Sequence, residues 1–212
     1  MELVFIGKSI GELDLNDISK SPKYRVKDWI TASDRNDWTL STDIFYDRIE
    51  SRYLKPVRHI ARDDEIGEFS GFAILVIDCL IIETLNQFYN GLDQTKGKHW
   101  KAFWYVFKNS PHFKESFTAK KAEIFYGHFH CGILHQAQTK SNSVVRICRV
   151  KMIEEVNPEK ISDGLIVDSG LFHSALEKEI TDYKKKLISG EPEHNIFREN
   201  FIRKMNYICN LK

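Results

Sequence analysis

The sequence predicts a mainly α-helical fold with a small β-hairpin in its C-terminal third, and three observations carry that expectation. A long apolar segment, 69–89, ends at Asn90-Gly91, a pair suited to closing a helix. Trp100, Phe103, Trp104 and Phe107 recur at i, i+3, i+4 and i+7, the spacing of one helix face. After residue 142 the pattern turns to β-branched runs, Ser143 to Cys148 and Leu165-Ile166-Val167.

The elements follow in order. Leu3-Val4-Phe5-Ile6 reads as a short strand before a Gly7-Lys8 turn, and Asn16 to Pro22 and Ser33 to Asp37 are turn-rich. Ser41-Thr42-Asp43 is an N-cap cluster, followed at helical spacing by Ile44, Phe45, Arg48, Ile49, Arg52 and Tyr53. Pro56 should end or kink that helix, because proline lacks the N–H and crowds the preceding turn. Past the acidic stretch Asp63-Asp64-Glu65, Phe69 to Tyr89 forms a central helix. Its most apolar part, Gly71 to Leu85, is broken by Asp78 and Glu83 and falls short of the roughly 20 residues of a membrane span. It therefore reads as a buried core helix, with no membrane partner expected.

The aromatic helix that follows stops at Ser110-Pro111, and Thr118 or Ser116 caps the next one. The stripe of that next helix runs through Phe125, Phe129 and Ile133 to about Thr139. The two β-branched runs then pair as a hairpin, with Asn157-Pro158 to Gly164 as the turn. Leu171, Ala175, Leu176, Ile180, Tyr183 and Leu187 mark a helix ending at Ser189-Gly190, and a last helix spans roughly 196–208. Residues 1–64 read as an N-terminal extension packing on a domain of 65–212, one globular unit in all.

Composition narrows the class. With 42% hydrophobic and 29% charged residues the chain is ordinary for a globular protein, so disorder is excluded. A net charge of +1 leaves no global basic field, so nucleic-acid binding would rest on a local patch. Cys79, Cys131, Cys148 and Cys209 lie far apart with no C-x-x-C pair. That argues against a cysteine-built zinc site and fits a reducing cytosol. The opening MELVFIGKSIGELDL has no basic start and no long apolar run, so no signal peptide is expected and the protein is placed in the cytoplasm.

The chemically distinctive stretch is Tyr126-Gly127-His128-Phe129-His130-Cys131-Gly132-Ile133-Leu134-His135. On a regular helix His128, Cys131 and His135 share one stripe, Phe125, Phe129 and Ile133 the neighbouring core stripe, and His130 lies beside both. Histidine titrates near neutrality and is the usual general acid or base. Helix histidines are more often hydrogen-bonded structural residues, and that reading stands beside the chemical one. His128, Cys131 and His135 would hold zinc only with ligands supplied from elsewhere, so no metal is assigned.

Phe129 to Gln136 resembles the signature of the HEPN superfamily, helical domains whose motif is an arginine, usually a polar residue, and a histidine four to six residues beyond the arginine. His135 matches the motif histidine, Cys131 stands at the polar position, and His130 replaces the arginine. Ile77 to Leu85 is similar to the acidic, otherwise apolar helix of that fold, and the resemblance covers about residues 65–140.

It implies an antiparallel helical bundle that dimerises through its motif helices. The implied activity is that of a metal-independent endoribonuclease or RNA-binding protein of a bacterial defence or toxin–antitoxin system, with an antitoxin protein as a further partner. His135 would then be the acid/base, Glu83 or Asp78 would orient or polarise the site, and Cys131, Gln136, Lys140 and His128 would contact substrate. A histidine at 130 lacks the permanent charge and bidentate fork of arginine, so the resemblance equally allows a non-catalytic interaction or regulatory protein.

Lys96, Lys98, Lys101, Lys108, Lys114, Lys120 and Lys121, interleaved with Trp100, Phe103 and Trp104, form the best local candidate for a phosphate-binding surface, against the simpler reading of a solvated helix face. No G-x-S-x-G, H-E-x-x-H, P-loop or G-x-G-x-x-G occurs, and nothing points to a cofactor.

Overall fold

A computed structural model describes residues 24–97, 99–147 and 149–211. The expected strand at Leu3–Ile6, the turn-rich stretch 16–22, and Lys98 and Cys148 lie outside the described residues.

α1 (Val26–Asp34) and α2 (Trp38–Ile49) pack against each other across a short turn. α2 begins a turn earlier than its Ser41-Thr42-Asp43 cluster suggests. Asp37 is the cap, accepting from the Leu40 N–H at 2.9 Å, and Ser41 and Thr42 are buried inside the helix. Asp37 serves as well as serine at that position, and starting there brings Trp38 and Leu40 against the core.

Pro56 does not end the helix. A π-helical turn, Glu50–Leu54, carries α2 into α3 (Lys55–Arg62), with the proline in the first turn of α3. The widened turn absorbs the missing N–H and the ring, where a regular turn would clash.

α4 (Gly71–Asn90) is the centre, packed by α3, α5 (Trp100–Asn109), α8 (Ser169–Ser189) and α9 (Asn195–Ile208). Gly91 closes it at φ 61°, where a side chain would meet Asn200 Oδ1 at 2.7 Å. By length and composition α4 could cross a membrane, with a mean hydropathy of 1.6 over its most apolar window. More than half of that window, 56%, is buried within this fold.

Around α4 two aromatic clusters fill the core. Phe45, Phe88, Tyr183 and Phe201 meet at one end, with Phe45 and Phe88 4.7 Å apart. Phe103, Phe107, Phe113, Phe117, Phe125 and Phe172 meet at the other. Each fully buried ring contributes about 1.5–3 kcal/mol. Phe45 and Trp29 belong to this same core, so the described part of residues 1–64 shares it.

A hairpin forms with its turn where the sequence puts it, between Glu155 and Leu165, but its first strand is not the run at Ser143 to Cys148. There are three among the described residues: β1 (Val144–Arg146), β2 (Ile153–Glu155) and β3 (Leu165–Asp168), in the order β1-β3-β2. β1 and β3, the two runs read from the sequence, pair in parallel, with Val145 opposite Val167. The antiparallel partner of β3 is β2, a run too short and acidic to stand out. Asp168 then caps α8 through the Leu171 N–H at 2.7 Å.

A histidine-rich candidate site on a wide helical turn

The motif helix is built in three parts. α6 (Ala119–Phe125) starts at Thr118, whose hydroxyl accepts from the Lys121 N–H at 3.2 Å. A π-helical turn, Tyr126–His130, follows, and α7 (Cys131–Gln136) stops at Ala137 with φ 55°. At the join the Cys131 N–H donates to the Tyr126 carbonyl five residues back. The Lys140 N–H returns to the His128 carbonyl at 3.1 Å, so the chain after α7 folds back onto the turn. Gly132 permits this, since an added Cβ would sit 2.6 Å from the Gln138 carbonyl oxygen.

The extra residue in the turn redirects the histidines. His128, Cys131 and His135 do not share a stripe. His128 turns to the sheet, its Nδ1 2.9 Å from Ser143 Oγ, which also accepts from the Leu165 N–H at 3.0 Å. Burial, and then the Lys140 charge, lower its pKa. It ties helix to strand rather than facing a ligand. The half-buried Cys131 thiol is hydrogen-bonded to the Tyr126 hydroxyl, whose pKa burial and that bond both raise. His135 and Gln136 are exposed, and Lys140 is half-buried.

His130, expected off to one side, is central. Its ring stacks on Tyr126 at 4.7 Å and 20° and meets the Phe103 ring edge-on at 5.4 Å. Nδ1 is buried with no partner among the described residues. Burial lowers its pKa, the Glu83 charge opposes that, and the charges of His135 and His99 add to it. Glu83, His99, His130 and His135 thus lie in one electrostatic neighbourhood. Glu83 Oε1, on α4, is 3.4 Å from Nδ1 of His99, the residue capping α5.

His99 escapes sequence reasoning because it has no periodic relation to the motif. The available signal is its position at the start of α5, beside the exposed Lys96 and Lys101. Of the remaining lysines, Lys120 pairs with Glu123 and Lys121 with Glu155, while Lys108 and Lys114 are exposed.

Asp78 is not brought to this site. It is wholly buried on another face of α4, with Oδ1 2.7 Å from His173 Nδ1 on α8. His173 Nε2 faces Glu177 at 3.6 Å, and Arg58 bridges Glu177 and Glu50. The network joins α3, α4 and α8. Metal-type ligand atoms gather, among the described residues, at Glu191, Glu193 and His194, within 4.8 Å of one another and away from the motif.

No protein-family model, no curated protein and no solved structure matches this chain.

Proposed function

We propose that this chain is a HEPN-like protein acting on RNA as a metal-independent endoribonuclease, a cytoplasmic component of a bacterial defence or toxin–antitoxin system. The observation that supports it is that the charges of Glu83 on α4 and of His135 on α7 both act on the His130 ring at the half-buried turn of the motif helix. In the reaction the ribose 2′-oxygen attacks the adjacent phosphorus and loses its proton to His135. The bond from phosphorus to the 5′-oxygen breaks, that oxygen takes up a proton, and a 2′,3′-cyclic phosphate remains. Glu83 polarises the cluster. Two-fold pairing of motif helices would bring a second His135 to the first, so the active form would be a homodimer, with an antitoxin protein as a further partner.

One observation favours a second reading, a non-catalytic interaction or regulatory protein. His130 is held below its ordinary pKa by burial and is therefore neutral near pH 7, so it supplies no arginine-like charge to a phosphorane.

The test is incubation of mixed RNA with the protein in EDTA, beside a His135→Ala variant. Cleavage that survives EDTA and disappears in the variant is expected. Intact RNA with a folded protein would move the conclusion to the second reading.

A further inference from the structure

We propose that the outer edge of β1 is a contact through which two copies of this chain join, pairing antiparallel about a two-fold axis at Val145 and doubling the three-stranded sheet. This contact is separate from any pairing of the motif helices and does not depend on the RNA reading.

The order β1-β3-β2 leaves the sheet two edges. The β2 edge is guarded by charge, with Glu154 held by Arg149 and Glu155 by Lys121. Charged side chains on an edge strand discourage pairing with other chains. β1, with two valines and one arginine, is more apolar. The Arg146 carbonyl faces the Ser169 hydroxyl, 3.5 Å away past the end of β3. Backbone groups alternate sides along a strand, so the Val145 N–H and C=O face the opposite way, outward. Among the described residues neither has a backbone partner on that side. Two antiparallel copies set with Val145 opposite Val145 would exchange a pair of N–H···O bonds there.

A groove lies beside this edge. Its hollow of about 510 Å³ is walled by Glu68, Phe69 and Phe72 on one side and by Val145, Arg146 and Ile147 on the other. Gly71 sets the start of α4 against the strand, since an added Cβ would come within 2.7 Å of Val145 Cγ1. The walls are apolar and open to water, with Phe69 79% exposed and Phe72 and Ile147 exposed beside it. A second β1 laid along the first covers these side chains, and its own groove receives the first strand in return. That reciprocity is what a two-fold contact requires.

Charge selects a second copy as the occupant. Glu68 on one lip of the groove and Arg146 on the other are both exposed, and neither forms an ion pair among the described residues. Antiparallel pairing brings the Glu68 lip of each copy to the Arg146-bearing strand of the other, so the two charges are matched twice across the axis. The groove therefore complements the strand that borders it, in hydrogen bonds, in apolar surface and in charge.

Sedimentation equilibrium of the full chain over a range of concentrations tests this. The wild type should associate, and Phe69→Asp, at a side chain that a single copy leaves exposed, should weaken association about tenfold or more. Val145→Pro, which removes the outward N–H at a position where an edge strand tolerates proline, should do the same. Glu68→Arg should weaken association, and Glu68→Arg/Arg146→Glu should restore it. In hydrogen exchange the Val145 amide should be protected in the associated wild type and exchange freely in Phe69→Asp. Circular dichroism confirms that each variant is folded. Where the motif helices pair as well, the wild type is a tetramer and the edge variants are dimers. A monomer at every concentration, or association indifferent to Phe69→Asp, would overturn the contact. Association abolished by Leu134→Asp on α7 but by no edge variant would assign it to the motif helices instead.

Discussion

Replacing His173 by alanine removes the hydrogen-bond partner that Asp78 has among the described residues, and does so where no solvent reaches the carboxylate. Burial pushes Asp78 up to about 6, against the pull of the His173 bond and charge. For His173, burial works against the charged form, but the bond and charge of Asp78 and the charge of Glu177 outweigh it, so its pKa is raised. Both groups bind their proton more tightly in the fold than in the unfolded chain. Stability from this pair is therefore greatest at low pH and declines as pH rises, first through the range up to about 6 for Asp78 and then above the ordinary histidine value for His173.

In the His173→Ala variant nothing offsets the burial of Asp78. At pH 7.5 the expected loss is about 3–5 kcal/mol, the cost of orphaning one member of a buried pair. In a chain of this length that lowers the melting temperature by about 6–20 °C. At pH 5.0 the carboxyl is largely protonated in both proteins, and the loss should shrink to about 1–2 kcal/mol for the missing hydrogen bond. Urea unfolding followed by circular dichroism at the two pH values measures both. An Asp78→Leu/His173→Leu double variant, which removes both partners, should recover most of the loss. A loss under about 1 kcal/mol at pH 7.5, or the same loss at both pH values, would refute the account of a buried charge held by His173.

Gly132→Ala drives a Cβ to 2.6 Å from the Gln138 carbonyl oxygen and should cost about 1–3 kcal/mol. Gly127→Ala, one turn earlier with nothing in reach, should be neutral or stabilising by about 0.5–1 kcal/mol, and paired thermal melts compare the two. Ser143→Ala strands His128 Nδ1 and the Leu165 N–H together and should cost about 1–3 kcal/mol in urea unfolding. In NMR titration His130 should protonate below the ordinary histidine value, and lower still in Glu83→Gln, because the Glu83 charge raises it. His130→Arg, with Glu83 in place to receive the guanidinium, should increase RNA cleavage over wild type. An unchanged rate would show that the missing cation at 130 does not limit the reaction.

The parts of the fold that depend on local chemistry were legible. α4, α5, α8 and α9 carry their periodicity and their stops in the chain itself, at Gly91, Ser110-Pro111 and Gly190. What packing decides was not. A proline that ought to break α2 is absorbed by a wide turn, and β1 adds in parallel to the outer side of the β2–β3 hairpin, where Val145 packs against the core beside the buried Val167. In the site, helical geometry alone could have separated the two carboxylates. Five positions apart, Asp78 and Glu83 point about 140° away from each other around α4, so one site could not use both. The histidine pattern misled for the opposite reason. One extra residue in the turn rotates everything beyond it by about 100°, and no periodicity argument sees that.

Among the eight histidines, what separates the structural from the chemically available is a short bond to the scaffold. His112 lies 2.8 Å from Asp182, His128 2.9 Å from Ser143, His173 2.7 Å from Asp78, and His194 2.8 Å from Ser189. Each has a ring nitrogen committed to holding two parts of the fold together. His99, with a contact of 3.4 Å to Glu83, and the exposed His135 carry no such short bond among the described residues. His130 sits between these classes, its ring fixed by Tyr126 and Phe103 and its Nδ1 unpartnered. A ring held by packing and not by a hydrogen bond keeps its orientation whether or not it is protonated. That serves the packing of the motif turn and differs from what a phosphate-clamping cation requires. His130 is accordingly better suited to bracing Tyr126 than to standing in for the motif arginine.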